Sequence, residues 1–103
     1  MSGVVLLDGV TTAGEETSTI REVYCSNNDL LFVVYGEGND FSATVYLYPV
    51  FNNTKTFESD KITINISNTE PNNNTLIVTP HRKFKTILSG LVGSASITAI
   101  MEG

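Results

Sequence analysis

The amino-acid sequence predicts an all-β fold, a single antiparallel β-sandwich or jelly roll of about 7–8 strands. Asparagine, threonine and serine make up 32 of the 103 residues. Threonine favours strands because of its branched Cβ, and asparagine and serine favour turns. Strong helix formers are scarce, and no window of ten residues lacks glycine, proline, asparagine or a β-branched residue. Short apolar runs separated by turn signals are typical of small all-β domains.

The first part of the chain predicts two strands separated by a loop. Val4–Leu7 is a short apolar run that ends at the turn signal Asp8-Gly9. Val10–Glu16 has the composition of a loop, so residues 1–16 are expected to contain a docking arm or a loop. Ser18–Cys25 alternates in polarity, which predicts the second strand.

The clearest predicted unit is an antiparallel hairpin over residues 30–49. Leu30–Tyr35 is apolar on both faces, which suits a central strand. Gly36–Asp40 is predicted to be a five-residue hairpin loop whose glycines permit positive φ angles. Ser42–Tyr48 alternates cleanly and ends before Pro49, which lacks a backbone donor. The apolar face of that strand is predicted to consist of Ala43, Val45 and Leu47.

The second half of the chain predicts four further strands with polar connections. In the predicted strand Ile62–Ile66, isoleucines occupy alternate positions, so all three are expected on one face. In the predicted strand Lys83–Leu88, the inward residues are expected to be Phe84, Thr86 and Leu88, and the outward residues Lys83, Lys85 and Ile87. The predicted strands are Ile62–Ile66, Thr75–Thr79, Lys83–Leu88 and Ala95–Met101, with the loop Ser67–Asn74 and the turn Ser89–Gly93 between them.

Length and composition predict one soluble domain over residues 1–103, since about 100–150 residues is the usual domain size. Cys25 is the only cysteine, which excludes an intrachain disulfide. The longest apolar run, Leu30–Tyr35, is too short to span a membrane. No cationic side chain precedes Arg21, so no signal peptide is expected.

The charge is unevenly distributed along the chain, whose net charge is −5. Residues 1–51 carry seven acids and one base, whereas residues 52–103 carry four acids and five bases. An acidic protein is a poor candidate for nucleic-acid binding, which depends on phosphate contacts. The basic group Arg82, Lys83 and Lys85 either steers one copy or partner toward an acidic surface or is simply solvated.

Residues that would support catalysis or cofactor binding are few, so we expect no enzyme, no metal and no cofactor. A Ser-His-Asp arrangement needs a histidine, and the only one, His81, is expected in a loop at a strand end. Ser94 and Ser96 lack the frame of a nucleophile elbow. Cys25 is expected to be a small buried hydrophobe.

Tyr46 and Tyr48 lie on the less hydrophobic face of their predicted strand. Three interpretations are open for this pair. The rings could stack on sugars, bury against another subunit, where tyrosine is enriched, or cover the second face of the sheet. The absence of tryptophan lowers the case for sugar binding.

The order of elements resembles the small β-sandwich virion proteins of tailed bacteriophages, which include capsid decoration proteins and tail or neck components. The resemblance covers about residues 17–103 and is one of pattern and composition. The tryptophan frequent in that family is missing, and the middle of this chain is unusually rich in asparagine. The residues that carry the resemblance are Leu30–Tyr35 with its glycine-rich loop, Ser42–Tyr48, the basic strand His81–Leu88 and the final strand Gly93–Thr98.

This resemblance implies a non-enzymatic structural protein of the virion, made in the host cytoplasm. It implies a capsid decoration protein that binds the major capsid protein or other virion proteins and neighbouring copies of itself. A ring-forming tail or neck component is the first alternative, and a carbohydrate-binding module is the second. Neither nucleic acid nor membrane is an expected partner. The expected contact residues are Tyr46, Tyr48, Arg82, Lys83 and Lys85, with the amino-terminal segment Ser2–Val10.

Overall fold

The structure of the chain is a computed structural model that describes residues 3–14, 20–23, 28–51, 55–56 and 58–103. The described residues form seven strands and one 3-10 turn, and none of them is in an α-helix. The all-β class predicted from the sequence is therefore confirmed. The strands are β1 (Gly3–Val10), β2 (Ile20–Glu22), β3 (Asp29–Phe51), β4 (Lys55–Thr56), β5 (Ile62–Ser67), β6 (Asn72–Val78) and β7 (Lys83–Glu102), and the 3-10 turn is Glu58–Asp60.

Two long strands, β3 and β7, form the centre of one antiparallel sheet. They pair from Leu31 opposite Glu102 to Pro49 opposite Phe84. On the other side of β3, β6 pairs with its first part and β5 with its second part. On the other side of β7, β1 pairs with its last part and β2 with its first part. These six strands make one antiparallel sheet, and β4 adds a two-residue ladder to the end of β3.

The sheet consists of two four-stranded halves that share β3 and β7. The first, which we call the β1–β6 half, contains β6, the start of β3, the end of β7 and β1. The second, the β2–β5 half, contains β5, the end of β3, the start of β7 and β2. A straight strand of 23 residues, the length of β3, would extend about 75 Å. The longest dimension of the molecule is 38 Å, so the central strands bend.

The hairpin predicted over residues 30–49 is wrong, because β3 is continuous through the glycine-rich segment Gly36–Asp40. Both parts of β3 pair with the distant strand β7 instead of with each other. Where a hairpin loop was expected, the ladder has a register shift between Glu37 and Asp40, opposite Ser96 and Ser94. Glycine is found in β-bulges as well as in turns, and here the segment bends the strand without reversing it.

The turn predicted at Ser89–Gly93 is wrong for the same reason, since β7 runs unbroken from Lys83 to Glu102. Gly90 and Gly93 have φ angles of +59° and +86° within it. This segment pairs with the irregular part of β3, where a second register shift lies between Ser42 and Thr44. The two central strands therefore bend at the same level of the sheet.

The bulge in β3 keeps one face of the sheet apolar along the whole strand. Even-numbered residues are buried before it and odd-numbered residues after it, and β7 shows the same change of phase. One extra residue in the bulge reverses the alternation, so the buried side chains stay on the same face. The inward positions predicted for alternate residues are confirmed in three segments, Ser42–Tyr48, Ile62–Ile66 and Lys83–Leu88. The central strands contribute Leu30, Phe32, Val34, Phe41, Ala43, Val45, Leu47, Phe84, Leu88, Ile97, Ala99 and Met101 to the core.

The amino-terminal part of the chain belongs to the sheet. Gly3–Val10 is strand β1 and pairs with the end of β7. The strand predicted over Val4–Leu7 is therefore confirmed, and it extends from Gly3 to Val10. Asp8-Gly9, predicted to end the strand, lies at a register shift within it, and Gly9 has a φ angle of +60°. Gly14 still contacts the sheet through a bridge to Leu88.

Two other predicted segments differ in extent. Three asparagines assigned to the polar loop Ser67–Asn74 begin strand β6, because they pair with the start of β3. The predicted strand Ser18–Cys25 is described only from residue 20 to residue 23, of which Ile20–Glu22 is paired. Cys25 lies outside the described residues.

Candidate interaction surfaces

Tyr46 and Tyr48 lie on the outer face of the β2–β5 half. Their neighbours Val45 and Leu47 are fully buried, and successive residues of a strand point to opposite faces. The tyrosine rings are half-buried, with centroids 6.2 Å apart and planes tilted by 44°. The two aromatic side chains therefore form one surface on the side of the sheet opposite the core.

Lys61 covers this pair of rings. Its Nζ lies 4.9 Å from the centroid of Tyr46 and 5.9 Å from that of Tyr48. Both distances are within the range of cation–π attraction, worth about 0.5–1 kcal/mol at an exposed site. Lys61 was not among the contact residues predicted from the sequence. Its position could have been predicted from the alternation of Ile62, Ile64 and Ile66, which places residue 61 on the outer side.

Lys83 and Lys85 are on the same outer face as the tyrosines. Lys85 is directly opposite Tyr48 in the ladder between β3 and β7, and directly paired residues share a face. Across the other edge of β7, Ile20 pairs with Lys85 and Glu22 with Lys83. We call this surface the tyrosine–lysine face. Its residues are Tyr46, Tyr48, Lys61, Lys83, Lys85, Ile87, Ile20 and Glu22.

Arg82 does not belong to this face, although the sequence analysis placed it with Lys83 and Lys85. Its guanidinium donates to the carbonyl oxygens of Thr79 and His81, at 3.0 and 2.8 Å, and to Oδ1 of Asn28 at 3.0 Å. Its carbonyl oxygen accepts a 2.7 Å bond from the backbone N–H of Val23. Arg82 therefore ties together three segments at the end of the sheet.

We expect Arg82→Ala to lower the free energy of unfolding by about 2 kcal/mol, because hydrogen bonds to a charged group are lost and their acceptors are partly buried. Arg82→Lys should recover only part of this, since lysine lacks the planar fork that donates in several directions. Arg21→Ala, at an exposed arginine of β2, is the matched control and should change stability by less than about 0.5 kcal/mol. Urea unfolding measures all three variants. Equal losses for Arg82→Ala and Arg21→Ala would contradict this structural role of Arg82.

The outer face of the β1–β6 half exposes large apolar side chains, a feature that was not predicted from the sequence. Leu76 and Val78 in β6 are 66% and 71% exposed. The pairing of β3 with β6 and β7 places Leu31 opposite Leu76, and Val33 opposite Ile100. Leu30–Tyr35 is apolar on both faces, so the sequence could not indicate which set points outward. We call this surface the apolar face, and its residues are Val5, Leu31, Val33, Leu76, Val78 and Ile100.

His81 lies in the connection between β6 and β7, beside a cleft of about 320 Å³. Its Nε2 is 3.4 Å from Oδ2 of Asp60. Among the described residues that line the cleft, only Thr79 carries a hydroxyl group, and its Oγ1 accepts a 3.1 Å bond from the backbone N–H of His81. This arrangement pairs an imidazole with a carboxylate.

Among the described residues, no group of three or more His, Cys, Asp or Glu side chains is placed to hold a metal ion. The described part of the chain contains no helix with the length and apolar character needed to cross a membrane.

No protein-family model matches the chain, and neither a curated protein nor a solved structure matches it.

Proposed function

We propose that the chain is a non-enzymatic structural protein of a tailed-phage virion, and that it acts as a capsid decoration protein. The observation that carries this proposal is the pair of outer sheet faces, one apolar and one built from tyrosines and lysines. Large apolar side chains exposed together are typical of protein–protein interaction sites. A small all-β domain with two such faces is suited to docking on a particle and on neighbouring copies.

We infer that the two halves of the sheet pack against each other as a β-sandwich. Only one face of the central strands is lined with fully buried apolar side chains, and a sheet must cover such a face. The cleft beside His81 supports this, because it is lined by Leu47 and Ile62 of one half and Ile77 of the other. The radius of gyration, 13.0 Å, also matches the ~13 Å of a compact chain of this length.

The partners in this proposal are the major capsid protein or other virion proteins, and other copies of the chain. The protein would be made in the host cytoplasm and reside in the virion. No step of the proposed role needs a cofactor, a nucleic acid or a membrane. A ring-forming tail or neck component is the alternative within the virion, and it would use the same two faces in a closed ring.

Quantitative mass spectrometry of purified particles tests this proposal. The particles come from the phage whose genome encodes the chain. We expect the protein in the particles, in an amount comparable to the major capsid protein. A few copies per particle, retained in isolated tails, would favour the ring-forming alternative. Absence from the particles would overturn the virion role.

A variant in the same phage tests whether the tyrosine–lysine face carries the contact. We expect Lys83→Glu with Lys85→Glu to lower incorporation into particles by about tenfold, equivalent to about 1.4 kcal/mol of binding. Val92→Glu is the control, because residue 92 is exposed and lies at the bend of β7, opposite Ser42 and four residues along β3 from Tyr46. Arg82 is left unchanged, since its substitution would disturb folding. Unchanged incorporation of the double variant would remove this face from the contact.

A carbohydrate-binding module is the second candidate function, favoured by the adjacent rings of Tyr46 and Tyr48. Aromatic rings on an outer sheet face can stack on sugars. Retention of the native protein on a glycan array, lost in Tyr46→Ala with unchanged thermal stability, would support this function. A native protein that is retained by no glycan would end it.

A further inference from the structure

We infer that copies of this chain bind one another head to tail, with the apolar face of one copy docked on the tyrosine–lysine face of the next. This inference rests on the proposed structural role. It names one partner, a second copy of the chain, and the two surfaces that meet. The two faces lie on opposite sides of the molecule if the halves form a sandwich, so each copy can contact two neighbours.

Both faces offer apolar surface that docking would remove from water. Leu76 and Val78 are about two-thirds exposed, so docking would remove a large apolar area from water. On the other face, Tyr46, Tyr48 and Ile87 offer half-buried apolar surface near the centre. Tyrosine is enriched in the centres of protein interfaces, and the stem of a lysine can cover apolar surface while its charge stays hydrated.

The charges on the two faces favour this pairing over contact between like faces. Glu102 lies on the outer side of the β1–β6 half, opposite Leu31, and Glu37 lies further along the same side of β3, opposite Ser96. The other half carries Lys61 over its tyrosine rings and Lys83 and Lys85 on the same face, where these three lysines outnumber Glu22. Two apolar faces in contact would bring like carboxylates together, whereas the head-to-tail contact brings carboxylates toward ammonium groups. Such complementarity selects the partner and the orientation.

A head-to-tail contact leaves one face of each terminal copy open, so it continues to a ring or an open chain. Association should therefore depend on concentration, and multivalent binding on a particle would strengthen it.

Two face variants and their mixture test this inference by sedimentation velocity. The apolar-face variant is Leu76→Lys with Val78→Lys, and the tyrosine–lysine-face variant is Tyr46→Ser with Lys61→Glu. We expect the mass of the native protein to rise with concentration and each variant alone to remain monomeric. An equimolar mixture should form a heterodimer that does not grow further, because each variant keeps one intact face. Circular dichroism checks folding, and Lys61→Glu alone replaces the second variant if that variant is unfolded.

The control for added surface charge is Val92→Lys, because Val92 is 66% exposed, as Leu76 is, and lies at the bend of β7, opposite Ser42 and four residues along β3 from Tyr46. It should associate like the native protein. Dimerisation of either variant alone would indicate contact between like faces and overturn the inference, as would a mixture that stays monomeric. A native protein that is monomeric at every concentration but present in particles would overturn the inference and leave the proposed function intact. Head-to-tail chains formed by a protein that is absent from particles would support the inference and overturn the proposed function.

Discussion

Gly93→Ala is expected to lower the free energy of unfolding by at least about 3 kcal/mol, as a result of backbone strain and overpacking together. Gly93 has a φ angle of +86° in the bulged part of β7. A Cβ at this position would overlap the carbonyl oxygen of Asp40 and lie 3.1 Å from Cα of Phe41. Both of those atoms are backbone, so no side chain can move aside, and the two central strands would have to separate.

Gly90→Ala is the matched control for this substitution. Gly90 has a φ angle of +59°, and no atom lies within 4 Å of the position of its Cβ. Alanine there carries only the cost of left-handed backbone, about 1–2 kcal/mol. The difference between the two variants in guanidinium unfolding therefore reports the close approach of β7 to β3. Equal losses would mean that the strands do not approach each other at residue 93, and that the bend lies elsewhere.

Phe32→Ala is expected to lower the free energy of unfolding by about 3–5 kcal/mol, the usual cost of deleting a fully buried phenylalanine side chain. Phe32 is 0% exposed in the central part of β3. Leu76→Ala, in the neighbouring strand β6 but on the outer face, is the control. We expect it to change stability by less than about 0.5 kcal/mol in dilute protein.

Chemical unfolding at low and high protein concentration measures both variants. The ratio of the two losses tests which side of the β1–β6 half is the core. Similar losses in dilute protein would contradict the assignment of Leu76 to an outer face. If copies associate through the apolar face, the loss for Leu76→Ala should grow with concentration, while that for Phe32→Ala should stay nearly constant.

Much of the inward and outward pattern could be predicted from local alternation. Val45 and Leu47 are buried with Tyr46 and Tyr48 on the other side, as the polarity of that segment indicates. The candidate surface was predicted less completely. Lys61 and Arg82 illustrate why, because the role of each depends on residues distant in sequence: Lys61 on rings in β3 and Arg82 on acceptors that include Asn28.

The all-β class and the inward positions of the alternating strands could be predicted from the local pattern of residues, because burial on one face of a strand leaves a two-residue period that needs no knowledge of the partner strand. The tertiary structure was needed to show that Gly36–Asp40 and Ser89–Gly93 are bends within long strands. Gly90 and Gly93 have positive φ angles, which fit a turn and a bulge equally well, whereas at Gly38 a Cβ would lie 2.5 Å from the carbonyl oxygen of Ser94 on the paired strand. In both segments the choice between a turn and a bend depends on hydrogen bonds between β3 and β7. The tertiary structure was also needed to show which apolar side of Leu30–Tyr35 is the core, since both sides look alike until β6 and β7 are placed beside them.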